Sequence, residues 1–160
     1  MVESPATAHD GVIRPYADHD LDQVVDIWYR ASLLAHPFLS DAFLETERPA
    51  IANKWLPMSE TIVYEVDDAV VGFLSLVGNE VGGLFIAPEH QRNGIGRALM
   101  DAARDSRPFL ELSVFEANLG ARRFYQSYGF VFVRRQPNAE TGLPELRLRL
   151  DHRTATRPFR

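Results

Sequence analysis

The sequence predicts one α+β domain built on a mixed, largely antiparallel sheet of about six to seven strands, flanked by about four helices. Three observations carry this. Apolar residues recur at three- and four-residue spacing in four segments, beginning near Asp18, Asp41, Ile95 and Asn118. Between those segments lie short apolar runs of strand length. Two of the runs, "TIVYEV" at 61–66 and "VVGFLSLV" at 70–77, flank "DDA", a hairpin turn that sets neighbouring strands antiparallel. A chain of 160 residues fits a single domain. At that size it buries roughly 70% of its unfolded surface without a disulfide or metal staple.

The elements follow in order. "VIRPYA" at 12–17 is the first strand, and Pro15 restricts it to a sheet edge or a strand end. A helix then places Leu21, Val24, Val25 and Trp28 on one face, with aspartates in its first turn, and Pro37 closes it after His36. Residues 41–54 form a second helix, kinked or split by Pro49. After the hairpin comes "VGGLFIA" at 81–87, where Gly82 and Gly83 mark a bulge or a close backbone approach. A helix over 95–105, the strand "FLELSVF" at 109–115 and a helix over 118–128 capped by Gly129 follow. "FVFVRR" and "PELRLRL" close the domain as two more strands. The domain spans 11–150, between polar tails at 1–10 and 151–160.

Composition removes several function classes. The net charge of −5 argues against nucleic acid as a partner, since binders of it present a basic face. The absence of cysteine excludes thiolate nucleophiles and thiolate metal sites. The five histidines show no metal-ligand spacing, so no metal site is expected. No apolar run approaches the roughly 20 residues of a membrane span. The N-terminus lacks the basic and apolar regions of a secretory signal, so a cytoplasmic location is expected.

The chemistry concentrates in "LFIAPEHQRNGIGRALMDAAR", residues 84–104, where a strand passes through two glycines into a helix. Such a junction leaves backbone N–H groups unpaired and unshielded, an anion site supported by the helix dipole and by Arg92 and Arg97. Three phosphate motifs compete. The dinucleotide fingerprint needs a third glycine where Leu99 stands, and a nicotinamide-dependent enzyme is disfavoured accordingly. The mononucleotide loop needs Gly-Lys-Ser/Thr, and the one lysine of the chain is Lys54. What remains is Gln-x-x-Gly-x-Gly, met by Gln91, Gly94 and Gly96.

With this motif the chain resembles the GNAT superfamily of acyl-CoA-dependent N-acetyltransferases. "LFIAPEHQRNGIGRAL" is similar to that family's fourth strand, pyrophosphate loop and third helix. "NLGARRFYQSYGF" is similar to its Asn-x-x-Ala-x-x-Phe-Tyr-x-x-x-Gly-Phe segment, here Asn118, Ala121, Phe124, Tyr125, Gly129 and Phe130. The element order agrees over roughly 11–150, and "DIWYRASLLAHPFLS" further resembles a YjaB-like bacterial subgroup.

The resemblance implies splayed fourth and fifth strands, with the pantetheine of acetyl-CoA in the gap. Backbone groups of Leu84, Phe85 and Ile86 would pair with it. Gln91 and the N–H groups of Arg92, Asn93, Gly94, Ile95, Gly96 and Arg97 would hold the pyrophosphate. Tyr125 matches the acid that protonates the leaving thiolate, beside the cofactor. Asn118 matches a cofactor-contacting asparagine and equally reads as an N-cap. A backbone N–H of Phe85 or Leu84 would stabilise the oxyanion. The general base is open, because Gly82 stands where many relatives carry an acid. Glu80 lies eleven residues before Gln91, as in some protein-acetylating relatives, and Glu116 and His36 are further candidates. The acceptor pocket would draw on Trp28, His36, Phe38 and Trp55, aromatic groups suited to a cation. The implied reaction is direct acetyl transfer in a ternary complex to a primary amine of a small molecule, protein or peptide, by a monomer or homodimer. The alternative is a non-catalytic acyl-CoA-binding sensor or interaction module on the same fold.

Overall fold

The computed structural model describes residues 11–151. The expected tails at 1–10 and 152–160 lie outside the described residues, and Asp151 is the end of the last strand rather than tail. Among the described residues the chain forms a seven-stranded sheet in the order β1-β2-β3-β4-β5-β7-β6. Every neighbouring pair is antiparallel except β4 and β5. Four helical bodies cover the sheet, matching the architecture expected from the sequence.

The first strand, β1 (Val12–Pro15), ends at its proline rather than at Ala17. A short 3-10 turn, Asp18–Asp20, then leads into α1 (Leu21–Ala35). That entry is pinned by Asp20, which is fully buried. Its carboxylate accepts two hydrogen bonds from the Arg14 guanidinium, at 2.8 and 2.9 Å, and a third from Ala17 N–H at 2.8 Å. These donors hold the Asp20 carboxyl below the usual carboxylate range. From there α1 buries Val24, Ile27, Trp28 and Ala31.

The Ser40 hydroxyl caps α2 (Asp41–Ala50), accepting from Phe43 N–H at 3.0 Å. Pro49 neither stops nor sharply splits this helix. Beyond it the helix widens into a π-helical turn, Ile51–Trp55, and ends in a short α3 (Leu56–Met58), four residues past the expected boundary. The widened turn lies just before Pro57, whose missing N–H and crowding ring act on the turn that precedes it.

Strands β2 (Glu60–Val66) and β3 (Ala69–Val77) form the expected hairpin. Asp67 and Asp68 both take positive φ, +50° and +66°, the left-handed pair of a tight hairpin turn. Seven consecutive residues of β3, Val70–Leu76, are buried because helices cover both faces there. On one face α1 and α2 pack over Val63, Val70 and Phe73. On the other, α4 (Ile95–Asp105) and α5 (Leu119–Tyr128) join Leu74, Leu112 and Leu148 in the larger core.

The decisive feature is β4 (Glu80–Ile86) against β5 (Phe109–Phe115). These strands pair at one position only, Glu80 opposite Glu111, and then diverge. The outer half of the sheet follows as β6 (Val131–Pro137) and β7 (Pro144–Asp151), the latter paired along the whole of β5. No helix among the described residues is long and apolar enough to cross a membrane.

Candidate active site

The divergence of β4 from β5 opens a cleft of about 1060 Å³. Its walls are β4 from Val81 to Ile86, β5 from Leu112 to Phe115, the loop before α4, the start of α5 and the end of α1.

The β4 wall is built by ladder arithmetic. Ala87 N–H donates to Val71 O at 2.8 Å, and bonding pairs alternate along an antiparallel ladder. Phe85 opposite Phe73 and Gly83 opposite Ser75 therefore spend their backbone groups on β3. Leu84 and Ile86 turn theirs toward the gap. The Ile86 carbonyl already accepts from Gln91 Nε2 at 3.0 Å, which agrees with that outward direction. This corrects the expectation for Phe85: two of the three strand residues offer backbone to a ligand, and Phe85 is not one of them. The free donor nearest the middle of the cleft is accordingly Leu84 N–H. The Phe85 ring lies on the α1 face, 5.5 Å from the Phe73 ring.

Gly82 is the extra residue of the expected bulge, since Ser75 pairs with Gly83 while Leu76 pairs with Val81. It lines the cleft, and a Cβ there would meet nothing nearer than Ser75 O at 3.8 Å. Steric exclusion thus does not account for the missing acid.

At the mouth of the gap, Gly94 takes φ +83° and serves as the N-cap of α4. Arg92 also has positive φ, +66°. The first helical bond of α4 runs from Ala98 N–H to Gly94 O at 3.0 Å, leaving the N–H groups of Ile95, Gly96 and Arg97 without a backbone partner among the described residues. Gly96 has its Cα close to the Phe124 ring and Leu84, so a Cβ would come within 3.7 and 3.9 Å of them. Asn93 belongs to the same turn but does not line the cleft; its neighbours Gln91, Arg92 and Gly94 do.

Tyr125 is 8% exposed and lines the cleft, its ring held by Phe124 and Phe130 at 5.4 and 5.5 Å. Its hydroxyl has no hydrogen-bond partner among the described residues. Burial pushes its pKa up to about 12, so it carries its proton at neutral pH.

Asn118 caps α5, its Oδ1 accepting from Ala121 N–H at 3.2 Å. That bond orients the amide, so Nδ2 donates to His36 Nε2 at 3.2 Å. The His36 proton therefore sits on Nδ1. Its ring packs edge-on to Phe115 at 5.2 Å and tilts against Phe38 at 5.4 Å. Burial lowers the His36 pKa to about 4, which makes it a poor acceptor for an ammonium proton.

The other expected site residues separate. Trp28 and His36 line the cleft, whereas Phe38 borders a smaller neighbouring cavity. Trp55 stands apart, 39% exposed, with the Lys54 ammonium 4.8 Å from its ring. Glu80 sits where β4 and β5 meet, outside the cleft, and Arg147 binds both its carboxylate oxygens at 2.7 and 2.9 Å. Glu116 is likewise outside the cleft, paired with Arg135 at 2.9 Å. Neither residue lines the cleft.

Glu47 escaped the sequence reading. It lines the cleft from α2, and Glu140 lines it from the β6–β7 loop. The Glu47 carboxyl is held above its usual range, first by burial and then by the Glu140 charge, against the smaller opposing pull of the Lys54 ammonium. It has no ion-pair or side-chain hydrogen-bond partner among the described residues. A signal for it existed: Phe43, Glu47 and Ile51 share one helix face, with a carboxylate in the middle of an apolar stripe. The cleft is polarised as a result. Its two arginines, Arg92 and Arg97, stand at the α4 end, and its two glutamates stand on α2 and the β6–β7 loop.

Residues 57–132 match the family model described as "Acetyltransferase (GNAT) domain". The peptidyl-lysine N-acetyltransferase YiaC of Escherichia coli K12 is 31% identical over 134 residues, covering 83% of this chain and 92% of that one. The chain belongs to the GNAT family. Peptidyl-lysine N-acetyltransferase YjaB of the same organism is 32% identical over 133 residues, 82% of this chain and 90% of that one. The solution structure of apo YjaB from Escherichia coli superposes with a TM-score of 0.77 at 30% identity, covering 87% of this chain and 96% of that one. As a GNAT protein the chain is an acetyl-CoA-dependent N-acetyltransferase. The cleft fits that cofactor: an anion site at the α4 end, a strand with unspent backbone groups, and a long gap between them.

Proposed function

We propose that this GNAT protein acetylates the ε-amine of lysine in a protein or peptide. The observation that carries this is the polarised cleft: anion-binding at one end, with an unpaired, partly buried carboxylate at the other. A cationic side chain is drawn to the second end as a phosphate is to the first. The printed names of YiaC and YjaB, both peptidyl-lysine N-acetyltransferases, support the same acceptor.

Acetyl-CoA supplies the acyl group already activated as a thioester. In this reading the Ile95, Gly96 and Arg97 N–H groups hold the pyrophosphate, while Leu84 and Ile86 align the pantetheine. Leu84 N–H stabilises negative charge growing on the acyl oxygen, as a donor fixed in advance by the sheet. Tyr125 gives its proton to the departing sulfur. A lysine ammonium, with a pKa near 10.4, must first lose a proton. Glu47 receives it, directly or through water, and Glu140 keeps the site attractive to the next cation.

The test is an acetylation assay with lysine peptides, read by mass spectrometry, against polyamines and free amino acids. Acetyl-lysine should form, and Glu47→Gln should lower kcat/KM for the peptide at least about tenfold at pH 7. Its affinity for acetyl-CoA by calorimetry should stay within about twofold, since the N–H groups assigned to the pyrophosphate belong to α4 and not to α2. A peptide rate equal to wild type would remove Glu47 from the mechanism. Turnover of small amines with no peptide product would overturn the lysine acceptor.

A further inference from the structure

Beside the cleft lies a second cavity of about 210 Å³, lined by Phe38, Phe115, Glu116, Ala117, Leu143 and Pro144. Phe115 and Ala117 border both cavities, so one wall separates them. That wall is an aromatic trio. His36 lines the cleft, Phe38 lines the second cavity, and Phe115 faces both; Phe38 and Phe115 meet edge-on at 5.2 Å. The trio is anchored through His36 to Asn118, the cap of α5, which ties the wall to the helix bearing Tyr125.

The far side of the cavity is equally built. Leu143 N–H donates to Thr141 Oγ1 at 3.1 Å, and Asn138 N–H donates to Leu143 O at 2.7 Å. These bonds close the β6–β7 loop and fix Leu143. The polar rim is spent as well, because the Glu116 carboxylate is held by Arg135 and its carbonyl accepts from Arg122 at 2.8 Å. What faces inward is therefore mostly hydrocarbon and ring, of a size that admits one large aliphatic or aromatic side chain.

We propose that this cavity is a specificity subsite for the acceptor, taking an apolar side chain within two residues of the lysine to be acetylated. The proposal rests on the peptide-lysine reading above. Glu140 in the main cleft and Leu143 in the second cavity belong to one loop, so a peptide whose lysine reaches the Glu140 end would cross the shared Phe115–Ala117 wall. At about 3.3 Å per extended residue, its next side chains fall on the other side. The chemical step is unchanged: the nitrogen–acyl bond forms, the carbon–sulfur bond breaks and the amine proton leaves. The subsite acts on which peptide is held, through burial of apolar surface.

Lysine peptides with alanine flanks, varied to Leu, Phe or Trp at each position from −2 to +2, test this by kcat/KM with the full chain. At one position the apolar peptide should exceed the alanine peptide by about tenfold or more, the range that apolar pockets discriminate. In Leu143→Trp, which fills the cavity, that ratio should collapse toward one, with acetyl-CoA binding by calorimetry certifying the fold. In Leu143→Ala, which enlarges it, the preference should move toward Trp. Equal rates for all flanks overturn the subsite while leaving lysine acetylation intact. A ratio that survives Leu143→Trp overturns it too. Absence of acetylation on every peptide, with small amines turned over, overturns the acceptor reading and the subsite together.

Discussion

The two ends of the cleft are made from different materials. At the α4 end the ligand-facing groups are backbone: N–H groups of Ile95, Gly96 and Arg97, and the outward edge of Leu84 and Ile86. At the other end, the one proposed for the acceptor, the lining is side chains brought from α1, α2, β5 and the β6–β7 loop, among them His36, Glu47, Phe115 and Glu140. Backbone sites depend on local φ and ψ and tolerate most side-chain changes. Side-chain sites depend on which distant segments meet. The first end should therefore fail when backbone geometry is disturbed, and the second when one functional group is removed.

The largest expected effect lies at the backbone end. Gly94 holds φ +83°, where an L side chain costs about 1–2 kcal/mol of strain, and its neighbours present N–H groups to an anion. Gly94→Glu adds both strain and a negative charge at that point. Calorimetry should find acetyl-CoA affinity reduced by about 100-fold. A loss of less than threefold would mean that the α4 end does not hold the phosphates.

At the other end His36 makes a pH-dependent prediction. Burial takes its pKa to about 4, against about 6.5 for a free imidazole. A histidine with a depressed pKa leaves the unfolded chain binding the extra proton first. Stability from this residue is thus intact above pH 6.5, declines as pH falls toward 4, and is flat below that. The full drop is up to about 3 kcal/mol, in denaturant melts compared with His36→Gln, whose amide still offers an acceptor to Asn118. A wild-type curve parallel to the variant's between pH 6.5 and 4 would contradict the buried, Nδ1-protonated imidazole.

Tyr125 stands where the two ends meet. Tyr125→Phe preserves ring packing with Phe124 and Phe130 and removes one proton donor. It should lower kcat at least tenfold, about 1.4 kcal/mol of barrier, with acetyl-CoA affinity unchanged. Unchanged turnover and an unchanged pH–rate profile would reassign Tyr125 to packing alone.

The same contrast explains what could be read from the sequence. The α4 junction was legible because backbone sites need particular residues at fixed local spacing, and Gln91, Gly94 and Gly96 are contiguous. Element types were legible for the same local reason, and 95–105 and 109–115 match their expected bounds. The continuation from 54 to Met58 was not, because Pro57 is a local stop signal that the packing of Leu56 against the α1 core overrides. Phe85 was grouped with Leu84 and Ile86 because the resemblance implied three consecutive residues, and only the register with β3 turns the middle one away. Glu80 and Trp55 attracted attention by spacing or type, yet their partners, Arg147 and Lys54, decide where they sit. For Glu80 that partner is 67 residues away in sequence.

Glu80 gives the smallest effect and the sharpest division between structure and chemistry. Its carboxylate is clamped by Arg147, which also donates to Glu111 at 2.9 Å, while Arg149 donates to the other Glu111 oxygen at 2.9 Å. This ladder fastens β4 to β5 and β7 at the one point where β4 and β5 pair, just below the divergence. A partly exposed pair of this kind contributes about 1 kcal/mol or less. Glu80→Gln keeps the size and one acceptor oxygen, so thermal stability should fall by no more than about that amount. The kcat for a lysine peptide should stay within about twofold, because the cleft wall begins one residue later, at Val81. A large loss of kcat with little loss of stability would place Glu80 in the reaction, and the fastening of the strands would then have to be assigned to Glu111 alone.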